Sequence, residues 1–315
     1  MAASSHVAVR IDLARVRRNA EDIAKQTAVP IIAVVKADAY GLGAMRIAAA
    51  LADLVQAFYV FDLREAVEYR LFDLTGKRTI ALLGESDDPQ DYLRQHVQPA
   101  VWTAERAAQL RAARPVLSVD TGQQRFACGP QDVSAVLRAG DIGEAFTHAS
   151  TLDQVRQFTH TMREHSPPTR EGKLFLHAAG SSLLAEPEAR LDAVRPGLAL
   201  YRGAAHVSAR LVEVRDSTGP AGYTGFLSPR HGIILAGYSH GLRPGPCIVN
   251  GRRSRILEVG MQTAFVEAAS ADRVGDEVVL LGDELSESDV AAEWKTGPQE
   301  VLTRLCGAGI REYAY

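Results

Sequence analysis

Short apolar runs alternate with stretches of helical period through the first two-thirds of the chain. Residues 7–11 alternate as a short strand, and Asp12 stands where it can cap a helix carrying Leu13, Val16 and Ile23 on one face. Residues 31–35, Ile-Ile-Ala-Val-Val, run unbroken from Pro30 to Lys36, the pattern of a buried strand, and an Ala-rich helix is expected from about 44 to 54. Further runs at 57–61, 79–84, 97–101, 116–119, 145–148 and 174–177 predict strands, and the eighth is centred on Gly197 to Tyr201. Helical segments at 63–72, 104–113, 133–139 and 152–164 fall between them. Eight strand–helix alternations before about residue 206 predict parallel strands joined by right-handed crossovers, and that number favours a closed barrel over an open doubly wound sheet. The span is short for such a barrel, typically about 250 residues, so some helices must be pared down.

The pattern changes after Ser208. Strand candidates at 211–214, 232–236, 247–250, 256–259, 265–268 and 277–281 are separated by Gly, Pro and Asp turns, and helical periodicity is nearly absent until 298–305. The expected architecture is therefore α/β: a (β/α)8 TIM-type barrel over 1–208, then a mostly antiparallel β-domain over 209–315, with residues 5–11 candidates to pair with the latter.

Composition narrows the partners. Hydrophobic content of 46% and charged content of 23% are ordinary for a soluble globular protein, and a net charge of −3 points to neither nucleic acid nor an anionic membrane. No apolar run approaches the ~20 residues of a membrane helix. The N-terminus lacks a charged segment followed by an apolar core, so no signal peptide is expected. Cys128, Cys247 and Cys306 are too few and too scattered for a disulfide framework or a zinc site, so no metal is expected and a reducing cytoplasm is the simplest compartment.

Lys36 carries the first chemical signal. A lysine at the carboxyl end of a buried strand is either one that snorkels to water or one whose amine is desolvated, which lowers its pKa and frees the lone pair for imine chemistry. In a barrel the carboxyl strand ends gather the chemistry, and Arg125, His148 and Ser181 follow other strands at that end. Each has an ordinary alternative: a loop arginine, a structural histidine, a helix cap.

Lys36-Ala-Asp-Ala-Tyr40-Gly-Leu-Gly resembles the signature around the cofactor lysine of alanine racemases. Arg195-Pro-Gly-Leu-Ala-Leu-Tyr201 and Gly237-Tyr238-Ser-His-Gly241 resemble that family's Arg-Pro-Gly-Ile-x-Leu-Tyr-Gly and Gly-Tyr-Ala-Asp-Gly stretches. The resemblance implies pyridoxal 5'-phosphate (PLP) held by Lys36 as a Schiff base, with Tyr40, Ser181 and the backbone N–H groups of Gly197 and Leu198 on its phosphate. It also implies Arg195 at the pyridine nitrogen, His148 in the surrounding hydrogen-bond network, and Arg125 and Met261 at the substrate carboxylate. An arginine at the ring nitrogen cannot accept a proton, which leaves the substrate carbanion short-lived and suits proton exchange. Related barrel decarboxylases carry a glutamate there. Racemisation needs proton acceptors on both faces of the α-carbon, and the resemblance supplies Lys36 and a partner subunit's Tyr238, hence a head-to-tail homodimer acting on a small amino acid.

The likeness has gaps. Ser118 replaces a family lysine that anchors the arginine matched by Arg125, Gly180 replaces an asparagine, and His240 replaces an aspartate. Glu258, Gly260 and Gln262 surround Met261 where the family has Arg, Cys and Asp, so a charge is reversed near the entrance, and Gln299 replaces a tyrosine that narrows it. Alanine racemase activity is the first reading. A racemase or epimerase of another amino acid, and a PLP-binding protein without turnover, remain open.

Overall fold

The computed structural model of the protein describes residues 6–165 and 173–315. It begins with β1 (Val7–Asp12), in which Val7, Val9 and Ile11 are buried while Ala8 and Arg10 are exposed. The carboxylate of Asp12 accepts the Arg15 N–H at 2.7 Å and caps the helix Leu13–Thr27, as its position predicts.

Two compact units emerge. In one, residues 17–39 and 44–200, the strands β2 (Ile32–Val34), β3 (Ala57–Asp62), β4 (Thr79–Leu83), β5 (Val97–Val101), β6 (Val116–Ser118), β7 (Glu144–Ala149) and β8 (Phe175–Ala179) pair in parallel in chain order. The ring closes through residues 193–195. Val194 bridges Ile31 and Ala193 bridges His177, and the Ile32 N–H donates to the Val194 carbonyl at 2.9 Å. The eighth strand thus precedes the expected position. Pro196 cannot donate to a ladder, and the apolar run after it, Leu198–Tyr201, forms a helical turn instead.

The barrel fits its short span by shrinking helices. The expected helix over 63–72 is two pieces, Leu63–Glu68 and Leu71–Thr75, parted at Arg70 with φ 49°. Pro89–Leu93 and Ala104–Gln109 are each barely more than a turn.

The other unit, residues 6–16, 40–43 and 201–315, is built on β9 (Ala205–Asp216). It adds β10 (Arg230–Ile234), β11 (Gly245–Val249), β12 (Arg252–Val259), β13 (Ala264–Glu267), β14 (Glu277–Leu281) and β15 (Ile310–Ala314). β9 pairs antiparallel with β14 and, beyond Ala209, with β10, so the order β9-β10-β13-β12-β11-β14 returns to its start. β1 pairs antiparallel with β9 and parallel with β15. Two helices cross this unit: Pro298–Cys306 was legible, whereas Glu287–Trp294 was not, although Ser286 and Asp289 form a capping box at its start. All three cysteines are buried and free, and no helix among the described residues is long and apolar enough to cross a membrane.

Phe158, on the helix Leu152–His165, is fully buried. Phe158→Ala should lower the unfolding free energy by about 3–5 kcal/mol, read as a fall in the urea midpoint.

Candidate active site

The apolar strand that delivers Lys36 ends in an unusual turn. Ala37, Asp38, Ala39 and Tyr40 have φ of 53°, 54°, 53° and 58°, a left-handed helical turn without glycine. Such a conformation costs roughly 1–2 kcal/mol per residue, so the surroundings must hold it. They do so through donors the turn leaves free. A Glu65 carboxylate oxygen accepts the Ala37 N–H at 2.8 Å, the Tyr69 hydroxyl accepts the Asp38 N–H at 2.9 Å, and Asp38 in turn accepts the Ala44 N–H at 2.7 Å to start the helix Ala44–Leu51. The following glycines are tied to β15: the Gly41 carbonyl accepts from Arg311 at 2.9 Å, and a Cβ on Gly43 would lie 2.0 Å from the Tyr313 hydroxyl oxygen.

Burial lowers the pKa of Lys36, and the charges of Arg125 and Arg195 push the same way against the pull of Glu65. Arg195 is itself buried, with its guanidinium carbon 4.6 Å from the ring centre of Phe146 and 5.4 Å from that of Tyr59. It donates to the Thr147 carbonyl, while its Nε has no hydrogen-bond partner among the described residues. Burial pushes the Tyr59 phenol up to about 12 despite Arg195. Below Arg195, His177 stacks on Phe146 with ring centres 5.5 Å apart and contacts Glu144 at 3.0 Å, and Glu144 is paired with Arg78. Burial holds the His177 pKa down at about 4, outweighing the pull of Glu144, so the neutral imidazole donates to that carboxylate.

His148 lies one residue before the end of β7. Partial withdrawal from water, then the charges of Arg195, Lys36 and Arg125, push its pKa down to about 4. These four cationic or titratable side chains therefore share one electrostatic neighbourhood at the carboxyl strand ends. Arg125 is exposed on a loop shaped by Asp120, which accepts the Gly122 and Gln124 N–H groups, and its Nε donates to Gln123 at 3.1 Å. After β8, the Ser181 hydroxyl accepts the N–H groups of Gly197 at 3.1 Å and Ala199 at 3.0 Å, which gathers Ser181, Gly197 and Leu198 at one spot. Gly180 adds no side chain there.

In the other unit, burial raises the Tyr40 phenol pKa, and its ring lies 5.2 Å from that of buried Tyr201. Tyr238 begins a tight turn whose N–H groups hydrogen-bond back to the Gly260–Met261 segment: Tyr238 N–H to Gly260 O at 2.9 Å and Ser239 N–H to Met261 O at 3.0 Å. A Cβ on Gly237 would lie 2.3 Å from the Met261 carbonyl oxygen, so only glycine allows this approach. His240 closes the turn by accepting the Gly237 N–H at 3.1 Å. Tyr238 and Met261 remain 57% and 61% exposed.

The model of the alanine racemase N-terminal domain matches residues 11–205, and that of the C-terminal domain matches residues 223–313. The chain belongs to the alanine racemase family. An alanine racemase of Neisseria meningitidis is 30% identical, with 94% of this chain and 96% of that protein covered, and one of Aeromonas hydrophila is 30% identical with 97% of each covered. Among solved structures, the biosynthetic alanine racemase of Pseudomonas aeruginosa superposes with a TM-score of 0.86 at 24% identity, covering 98% of this chain and 99% of that one. The alanine racemase of Bartonella henselae, solved with covalently bound pyridoxal phosphate, superposes at 0.85 with 23% identity, covering 98% and 99%.

Within this member of the alanine racemase family, one expected charge lies elsewhere. Glu258 does not face an entrance: it is buried, and its carboxylate accepts the N–H groups of Tyr223 at 2.8 Å and Thr224 at 2.7 Å. Sequence reasoning also missed Glu65, Tyr69, Tyr59, Glu144 and the support role of His177. Only His177 carried a signal, as the residue opening a family-like stretch.

The two histidines give the protein a pH-dependent stability. Between pH 6.5 and about 4 the unfolded imidazoles of His148 and His177 bind protons that the folded ones refuse, so stability present above pH 6.5 is lost as pH falls. The share of buried His177 is on the order of 3 kcal/mol. Urea midpoints should drop between pH 7 and pH 4.5, and His177→Gln should flatten that dependence.

Proposed function

We infer that this protein is a PLP-dependent racemase that interconverts L- and D-alanine, with Lys36 as the cofactor-binding residue and one of two bases. The observation that carries the reading is the Lys36 amine: delivered by a buried strand, fixed by a left-handed turn and lowered in pKa beside Arg195, Arg125 and His148. The donor set fits the group. It offers an amine for an aldehyde, the Ser181 hydroxyl seated on the N–H groups of Gly197 and Ala199 for a phosphate, and a buried guanidinium with an uncommitted Nε for the ring end.

When bound, PLP supplies an aldehyde that captures amines and a ring that draws electron density from the attached Cα. Ser181, the N–H groups of Gly197 and Leu198, and Tyr40 would hold the phosphate. Arg195 would face the pyridine nitrogen as a hydrogen-bond donor that cannot take its proton, which keeps the ring a weak electron sink and favours reprotonation over side reactions. Arg125 and the Met261 N–H would bind the substrate carboxylate. Lys36 moves the Cα proton on one face and Tyr238 of the partner subunit on the other, within a head-to-tail homodimer. His148, kept neutral by its cationic neighbours, would orient the network around Arg195. Free buried thiols suit a reducing cytoplasm.

A second reading, racemisation of a different amino acid, is favoured by Gln299 in place of an aromatic wall and by Gly260. A substrate panel with chiral product analysis separates the two: turnover of alanine below that of another amino acid would displace the first.

Reduction of the purified protein with tritiated borohydride should abolish its visible absorbance and place the label on Lys36, and Lys36→Ala should lose both. Tyr238→Phe should keep the absorbance and lower kcat by about 10²–10⁴ in both directions. Wild-type turnover in that variant would remove Tyr238 as a base.

A further inference from the structure

The loop over residues 217–229 is held with more force than a surface loop needs. Its base is pinned by an Ala221–Phe226 bridge, with the Ala221 N–H donating to the Phe226 carbonyl at 3.0 Å. Phe226 packs against Phe265 and His231 with ring centres 5.1 and 5.7 Å away. Its tip is clamped by Glu258, which takes the Tyr223 and Thr224 N–H groups and the Thr224 hydroxyl. Burial alone would raise the pKa of this carboxyl, but the Thr224 hydroxyl and the two N–H donors hold it below its usual value, so it is charged near neutrality. Gly222 makes the approach possible: it has φ +67°, and a Cβ there would lie 2.5 Å from a Glu258 oxygen.

All this rigidity presents one side chain. Tyr223 is 93% exposed, the most exposed of the large hydrophobic residues among those described. Its ring stands beside residue 260, with Cε2 4.0 Å from where a Cβ on Gly260 would be. Gly260 is the residue whose carbonyl receives the Tyr238 N–H, so Tyr223 and Tyr238 flank the same segment as Met261. The clamp therefore holds an aromatic ring in one place beside the segment that also carries Tyr238 and Met261.

We propose that Glu258 positions Tyr223 as an aromatic wall at the mouth of the partner subunit's site, where it limits the size of the amino acid admitted. The inference rests on the racemase reading above, in which the same face carries Tyr238 into that site. The clamp puts the wall on a loop rather than on residue 299, where Gln299 offers no ring. Glu258 is a positioning residue, and Tyr223 is the one that meets substrate.

The clamp is tested without turnover. In Glu258→Gln, amide hydrogen exchange at Tyr223 and Thr224 should accelerate at least about tenfold in the protein as purified, because the amide side chain offers one weaker acceptor for donors a carboxylate receives on both oxygens. The wall is tested by kinetics and oligomeric state together. Tyr223→Ala should raise KM for alanine about tenfold, leave kcat within about twofold, improve turnover of a bulkier amino acid such as leucine, and keep the dimer in sedimentation. Tyr223→Phe should restore KM, and Glu258→Gln should follow Tyr223→Ala with a smaller rise. Unchanged KM and selectivity in Tyr223→Ala, or a loss that disappears at protein concentrations restoring the dimer, overturns the proposal. Failure of the racemase reading shows separately, as absent racemisation by the unaltered chain or as indifference to Tyr238→Phe.

Discussion

Four consecutive residues without glycine in left-handed conformation follow the lysine, and the carboxylate of Glu65 with the phenol of Tyr69 keeps them there. Without acceptors for the Ala37 and Asp38 N–H groups this backbone would relax toward the right-handed side, and the amine would swing with it. The geometry of Lys36 is therefore set from outside its own strand, by a helix that follows the next one. The same turn is tied at its far end, where Gly41 and Leu42 offer their carbonyls to Arg311 and Tyr313 of β15.

Around that amine, charge is managed by burial and by rings rather than by opposite charges in contact. Arg195 lies against Phe146 and Tyr59, and Glu144, whose charge supports it, is hydrogen-bonded to His177. A guanidinium placed this way keeps its full charge for whatever enters the barrel mouth. It also depresses the pKa of every base around it, which suits a site that must hold amines unprotonated.

Much of the barrel was legible, because β-branched runs bounded by Gly and Pro have few other uses. The eighth strand was misplaced because Leu198, Leu200 and Tyr201 are as apolar as a strand, and a buried helical turn has the same composition over four residues. The left-handed turn was invisible, since Ala37 and Ala39 favour ordinary helix and the groups that override them lie about 30 residues away. Lys36, Arg195 and Tyr238 were found by the company they keep in sequence. Glu65, Glu144 and Glu258 were not, because an isolated glutamate looks the same whether it is solvated or is the anchor of a turn. The reversed charge at Glu258 was noticed, but its direction could not be: only the fold shows it turned inward onto the Tyr223 loop.

The pairing of β1 with β15 sets the order in which the chain can mature. Val9 aligns with Arg311, and Ala8 with both Ser208 and Ile310, so β1 has neighbours roughly 200 and 300 residues later. The parallel ring from β2 onward closes on contacts within residues 31–195, whereas β1 finds its neighbours only in β9 and then in β15. Arg10, outward between buried Val9 and Ile11, puts a charge on the exposed face of β1 and discourages pairing with a stray strand before β9 is in place.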